Sequence, residues 1–412
     1  MPKSVSRPSQ PKLADRLAGT FQRFVAIEAA SAILLLLATA LALVWANSPW
    51  QASYERFWNT PIGVRFGDGS FTLSLLHAVN DGLMALFFFV VGMEIKHEVV
   101  RGQLSTRERA MLPVFGAAGG MLVPALLYLL FHAKGPAAPG WGIPMATDIA
   151  FAVAALAVLG SRVPSGLRVF LLALAIVDDL GAVTVIAAFY TNGLSLPALA
   201  AAALGLVIVW SMQRAGVRSY PLYWIAGVAC WAATLASGVH ATVAGVALGL
   251  LTPANSLGSE DGLAAPPPLE VLTSKLHGFV AFIVMPVFAL ANAGVRIDAS
   301  ALADPLAVHV TLAVGLGLLV GKPLGITLFA HLAVRLRIAV LPSGVGWGAI
   351  AGAGVLAGIG FTMALFITVL AFDDARLASA SKIGILAASV AATLGGLALL
   401  ARTLPRAAPP PE

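Results

Sequence analysis

Three aspartates stand in two otherwise apolar stretches. Asp148 lies in Gly140-Trp-Gly-Ile-Pro-Met-Ala-Thr-Asp-Ile-Ala-Phe151, and Asp178 and Asp179 lie in Ala175-Ile-Val-Asp-Asp-Leu-Gly181. A bare carboxylate in hydrocarbon costs roughly 2.5 kcal/mol or more, so it needs a partner, a water-filled cavity or a function. Neighbours on a helix point about 100° apart, so one of Asp178 and Asp179 can face a cavity while the other seeks a partner within the protein. Lys322, in Val320-Gly-Lys-Pro-Leu-Gly-Ile326, is the basic residue within an apolar run that can supply it. Too far from either end of its run to reach water, it must pair with a carboxylate or lose its proton. The reading that follows pairs Lys322 with Asp178 when no cation is bound and leaves Asp179 as the principal cation ligand. Thr147 and Asp148 follow Pro144, which removes a backbone donor. Freed carbonyls, a hydroxyl and a carboxylate are the hard oxygen donors that Na⁺ or Li⁺ needs when it sheds water. The alternative is that Pro144 only starts a helix at its first turn. A carboxylate that holds either a proton or Na⁺, and not both, couples the two movements if one side of the membrane is open at a time.

The elements that must hold these groups are membrane helices. The chain has 412 residues, 59% hydrophobic and 11% charged, with a mean hydropathy of +0.91. Soluble domains carry about 25% charged residues. The expectation is an all-α membrane protein of about twelve spans: 27–46, 75–95, 111–131, 144–159, 166–190, 197–212, 221–235, 238–251, 276–294, 308–330, 347–371 and 379–401. The pair 221–235 and 238–251 is short for a core of about 30 Å, and the two could be one helix. Basic residues favour keeping them apart. Twelve spans leave 18 of the 25 Lys and Arg on the cytoplasmic side, with both termini there, against 16 if the pair is merged. Residues 1–26 read as a loose cytoplasmic tail with an amphipathic turn near 13–24, 27–402 as one transporter domain, and 403–412 as a second tail.

A second helix interruption is expected at Gly352-Ala-Gly-Val-Leu-Ala-Gly-Ile-Gly-Phe-Thr362, although four glycines also suit close packing. Two broken helices in separate halves of a chain point to a midplane site. Opposed breaks bring like dipole ends together. Asp148 suits the positive ends and Lys322 the negative ones. In the external loop 47–74, Pro61 to Leu73 alternates apolar and polar around Gly67-Asp-Gly69, a β-hairpin pattern. An isolated hairpin is marginal in water, so this one wants a partner, such as a second protomer's hairpin. Pro266 to Pro268 mark a cytoplasmic break between two halves.

Several classes fall away. A lone Cys230 excludes an intrachain disulfide. The formal charge of +6 comes without an aromatic-interleaved basic stripe, so nucleic acid is not a partner. An intramembrane aspartyl protease wants a Gly-x-Gly-Asp motif that no span carries. A prenyltransferase wants two Asp-Asp-x-x-Asp motifs, and neither Asp178-Asp179 nor Asp373-Asp374 supplies one. The protein is therefore read as a transporter rather than an enzyme, with no resident cofactor. A proton-coupled symporter or a cation channel is the rival reading.

At Met145-Ala-Thr-Asp-Ile-Ala-Phe151, Leu174-Ala-Ile-Val-Asp-Asp-Leu-Gly-Ala182, Gly238-Val-His-Ala-Thr-Val-Ala-Gly245, Ala289-Leu-Ala-Asn-Ala-Gly-Val295, Gly321-Lys-Pro-Leu-Gly325 and Gly358-Ile-Gly-Phe-Thr-Met363 the chain resembles the NhaA family of bacterial Na⁺/H⁺ antiporters, from about Glu28 to Arg402. The resemblance implies inverted-topology repeats, though none is visible in the sequence, and two crossed broken helices at mid-membrane. It implies electrogenic exchange of external protons for internal Na⁺ or Li⁺ in the bacterial inner membrane. It also implies a homodimer joined partly through the first-loop hairpin, among membrane lipid. Matching positions imply Asp178 and Asp179 as transport carboxylates with Thr147 near the ion, and Asp148 and Lys322 as a charge-compensating pair. The family is switched on by alkaline pH through charges at the cytoplasmic mouth, where Glu94 fits. His97 replaces an expected arginine, and Thr273 an expected glutamate, with Glu270 a turn earlier. Histidine ordinarily titrates near ~6.5, so this replacement implies a shifted or shallower pH response. His240 fits a family pattern or only joins two helices. His77, His132, His277, His309 and His331 read as structural.

Overall fold

A computed structural model describes residues 13–66, 69–191, 193–217, 219–255, 266–296 and 304–405. The extreme tails, the hairpin tip at 67–68 and residues 256–265 of the expected break lie outside them. Among the described residues eight helices are long and apolar enough to cross a membrane: Leu75–Val100, Arg107–His132, Ala138–Val158, Ser165–Phe189, Leu196–Arg214, Pro268–Asn292, Pro305–Arg335 and Ala375–Thr403. Two bent pairs bring the number up to ten, Ala30–Ala46 with Gln51–Trp58 at 116° and Trp347–Ala357 with Phe361–Ala371 at 47°. The chain is a multi-pass helical membrane protein.

Two expectations change. The first helix runs from Leu13 to Ala46, so residues 13–26 are helical rather than a loose tail. The loop after it holds an unforeseen helix, Gln51–Trp58, which buries Tyr54 and Trp58. The Tyr54 hydroxyl donates to Leu290 O and Ala291 O at 2.8 Å, and Asn47 Nδ2 donates to Val295 O at 2.7 Å. This fixes the loop to the end of Pro268–Asn292. Pro144 lies inside a 3-10 segment, Ala138–Met145, and the α-helix begins only at Ile149, so it interrupts the span, as the missing donor implies, rather than starting a helix. The alternating stretch of the first loop forms two antiparallel strands, Pro61–Phe66 and Gly69–Ser74, in register from Pro61 with Ser74 to Phe66 with Gly69.

The short apolar pair is two helices, Tyr220–Ala236 and Thr242–Leu251. Gly238 between them takes φ +84, a conformation that glycine adopts at little cost. A Cβ on Gly227 would lie 3.6 Å from Leu248 Cδ1. In one continuous helix these residues would be about 31 Å apart, so the pair folds back as a hairpin.

Lipid tails are as apolar as leucine, so helices in a membrane associate through close packing at small residues. Gly119 and Gly325 show the limit of this. A Cβ on either would overlap the other's carbonyl oxygen. This contact joins Arg107–His132 to Pro305–Arg335, antiparallel, one turn from Lys322. The second helix reaches Lys322 through a π-turn at Gly317–Gly321, and Pro268–Asn292 has another at Val280–Val284. Pro323 and Pro286 follow these turns by two residues. A proline cannot donate to the carbonyl four residues back, and the wider turn absorbs that missing bond.

Replacing Gly325 with valine should force these backbones apart and cost about 1–3 kcal/mol. Thermal unfolding of the purified protein, with Gly346→Val, which meets no atom within 4 Å, as the control, measures the difference.

Candidate functional site

The two interruptions meet. In the Ala138–Val158 span, residues 146–148 separate Met145 from Ile149. In the second, the 358–360 turn separates Trp347–Ala357 from Phe361–Ala371. The backbone N–H of Asp148 donates to Ile359 O at 2.7 Å, and the Thr147 hydroxyl donates to Ala357 O at 2.9 Å. The Asp148 carboxylate accepts from Phe151 N at 3.1 Å through Oδ1. Through Oδ2 it accepts from Thr362 N at 3.1 Å and from the Thr362 hydroxyl. One buried carboxylate thus caps the N-termini of two helices, where aligned peptide dipoles favour negative charge.

The carbonyl ends are met by donors. Thr147 satisfies Ala357 O at the end of Trp347–Ala357. Lys322 Nζ donates to Met145 O at the end of the 3-10 segment, and to Asp178 Oδ2 at 2.7 Å. Lys322 is 0% exposed and Asp178 1%. The resemblance implies an Asp148–Lys322 pair. The contacts observed instead put Asp178 on Lys322 and put Asp148 on the two helix N-termini. Asp178 also faces Thr147.

Asp179, the next residue on Ser165–Phe189, turns away from the pair into a cavity of about 70 Å³. Asp148 and Thr362 line its inner end, and Glu94 and His277 its more exposed end. That volume holds several waters. Asp178 Oδ1 and Asp179 Oδ1 are buried without a hydrogen-bond donor among the described residues. An acceptor left so is costly unless something else satisfies it. The chemistry available is that of an oxygen-lined pocket taking a proton or a small hard cation. No cluster of three or more His, Cys, Asp or Glu suited to a resident metal is found among the described residues.

The four residues expected to answer to pH do not form one cluster. Glu94 lines the cavity, and Nδ1 of His277 lies 3.3 Å from its Oε1. His277, read as structural from sequence, belongs to the cavity wall. Its signal was its place four residues, one helical turn, after Thr273. The His97 side chain is 45% exposed and lies 3.8 Å from Glu98, and it does not line the cavity. Glu270 pairs with Arg101, which also donates to Ala254 O at 2.6 Å. The Thr273 hydroxyl donates to Met93 Sδ at 3.9 Å. His240 lies near the opposite end, where its Nε2 meets Tyr190 O at 2.6 Å. Thr362 is the other residue that sequence reasoning passed over. It ends the glycine run noted above, where a helix restarts.

A family model described as Na⁺/H⁺ antiporter 1 matches residues 22–400. The chain belongs to the NhaA family. A relative from Myxococcus xanthus (strain DK1622), Na(+)/H(+) antiporter NhaA 2, is 51% identical over 93% of this chain and 89% of its own. Na(+)/H(+) antiporter NhaA of Acidovorax sp. (strain JS42) is 50% identical over 95% and 94%. Na(+)/H(+) antiporter NhaA 2 of Acidiphilium cryptum (strain JF-5) is 47% identical over 97% and 96%. Against this NhaA background, the geometry shows which of the motif residues touch one another in this chain.

Breaking a buried ion pair by removing one partner costs about 3–5 kcal/mol, because a charge is left uncompensated. Lys322→Met should therefore lower stability strongly, and adding Asp178→Leu should restore most of it. Chemical or thermal unfolding of both single variants and the double variant checks the coupling.

Proposed function

We propose that this chain is a secondary active antiporter that exchanges Na⁺ or Li⁺ for protons, electrogenically, by competition of the two at Asp179. The observation that carries this reading is Asp179 itself. It is a carboxylate 1% exposed, with an unsatisfied oxygen, at the inner end of a cavity that begins at Glu94 and His277. Its neighbour Asp178 is neutralised by Lys322, and Asp148 by two helix N-termini. Asp179 is then the carboxylate of the three without a fixed counter-charge. A proton or Na⁺ entering by the cavity supplies one, and each excludes the other.

In this reading Thr147 and Asp148 lie beside the ion. The Lys322–Asp178 pair opens when a cation draws Asp178 towards it. The chain crosses the membrane twelve times, with the short Tyr220–Ala236 and Thr242–Leu251 pair as two crossings, and both termini are on the cytoplasmic face of the bacterial inner membrane. Glu94 and His277 then stand at the cytoplasmic mouth. The halves around the two breaks are inverted repeats, and two protomers join through the hairpins of the first loop. Alkaline pH activates through the groups at this mouth, where Glu94 stands with His277 beside it at 3.3 Å. Names of the relatives quoted above support sodium and proton as the exchanged ions.

Inside-out vesicles acidified by respiration test the reading. Adding Na⁺ or Li⁺ should collapse the proton gradient, followed with a dye, and K⁺ should not. Asp179→Asn should abolish the collapse. No collapse at any pH, with the protein present in the membrane, would favour a symporter or channel. In the same assay His97→Arg should move or steepen the activation profile, and an unchanged profile would assign the response to Glu94 and His277 alone.

A further inference from the structure

The residues that line the cavity and carry side-chain oxygens are Ser31, Glu94, Asp148, Asp179 and Thr362. Three are carboxylates and two are hydroxyls. Thr362 is fully buried, and its backbone N–H and its hydroxyl both donate to Asp148 Oδ2. A hydroxyl has one hydrogen and two lone pairs. With the hydrogen committed to a carboxylate, what remains on offer is lone pairs, and that bond polarises the oxygen further. The result is a hard, neutral oxygen donor next to two carboxylates. Thr147, the threonine of the other break, donates to Ala357 O and faces Asp178. It is not among the lining residues, so the threonine that meets a cation arriving through the cavity is Thr362.

This oxygen is also held still. The N–H of Phe361, the preceding residue, donates to Ser389 Oγ on Ala375–Thr403 at 3.2 Å. The 358–360 turn before it packs against Leu318, where a Cβ on Gly358 would overlap the carbonyl oxygen and one on Gly360 the side chain. Leu318 belongs to the π-turn Gly317–Gly321 that leads into Lys322. Thr362 is therefore fixed from three directions: Asp148, Ser389 and Leu318. A site with oxygens in fixed places distinguishes cations by its fit and by the number and field strength of those oxygens.

We propose that the Thr362 hydroxyl oxygen is a direct ligand of the transported cation, beside Asp148 and Asp179, and that it sets the preference between Na⁺ and Li⁺. This rests on the antiport reading for the identity of the cargo. Li⁺ is the smaller ion and closes its shell with fewer oxygens than Na⁺, as Mg²⁺ does beside Ca²⁺. Two carboxylates go further towards satisfying Li⁺, and Na⁺ depends more on the added neutral oxygen. Removing that oxygen therefore weakens Na⁺ binding more than Li⁺ binding.

Calorimetric titration of the purified, monodisperse protein with sodium chloride and with lithium chloride reads both affinities. Thr362→Ser keeps the oxygen and should bind each ion within about threefold of the parent. Thr362→Val keeps the shape without the oxygen, and should weaken Na⁺ about tenfold or more and Li⁺ only about threefold. Thr362→Cys keeps a weak donor to Asp148 and offers a soft sulfur, a poor ligand for either ion. It should shift the ratio as valine does, and takes its place if that variant is not monodisperse. A role confined to holding Asp148 would weaken both ions alike and leave their ratio unmoved. An unmoved ratio, an unchanged Na⁺ affinity or a larger loss for Li⁺ would each overturn the assignment and leave the antiport reading standing. A parent that binds neither ion would overturn that reading, and the assignment with it.

Discussion

Charge inside hydrocarbon is the constraint on which the rest of this structure depends. Three carboxylates and one ammonium, each at most 1% exposed, share one region. Isolated, each would cost several kcal/mol. The fold offsets three of the four in different ways. Lys322 and Asp178 neutralise one another, and Asp148 takes the positive ends of two helices. Both breaks exist where these ends are needed, since an unbroken helix offers no free N–H or C=O groups to a buried ion. Asp179 has no such fixed counter-charge and keeps a buried oxygen without a hydrogen-bond donor among the described residues, and in the proposed reading a mobile cation supplies what the scaffold does not.

The surrounding packing serves that arrangement. Contact between Gly119 and Gly325 sets the spacing of the two helices near Lys322, and the π-turn at Gly317–Gly321 leads directly into Lys322, whose Nζ meets Met145 O and Asp178. An irregular backbone is tolerated at membrane depth only where protein or a water-filled cavity covers it. Here residues 146–148 and 358–360 cover one another, through Asp148 N to Ile359 O and Thr147 to Ala357 O. The weak point of each helix is the other's partner.

Much of this was legible from residue types and spacing. Charged residues in apolar runs stand out, and adjacent positions on a helix cannot share a face, which separates the roles of Asp178 and Asp179. Proline and clustered glycine marked both interruptions. Other features were hidden because they depend on contacts between distant segments. Thr362 looked like the tail of a glycine run until it lay against Asp148, 214 positions away. His277 looked structural until Glu94 lay 183 positions away beside it. The Gln51–Trp58 helix is short and polar enough to read as loop, and it is ordered by Tyr54 docking on carbonyls of a later helix. The first helix extends to Leu13 because nothing in 13–26 breaks it, although its composition is that of a tail.

The proposed exchange depends on competition between Na⁺ and a proton for Asp179. Calorimetric titration of the purified protein with Na⁺, in two buffers of different ionisation heat, measures it directly. The account predicts that Na⁺ binding releases protons, so that the observed heat follows the buffer, and that Asp179→Asn removes both the binding and the release. Binding of Na⁺ without proton release, or undiminished binding in Asp179→Asn, would contradict it.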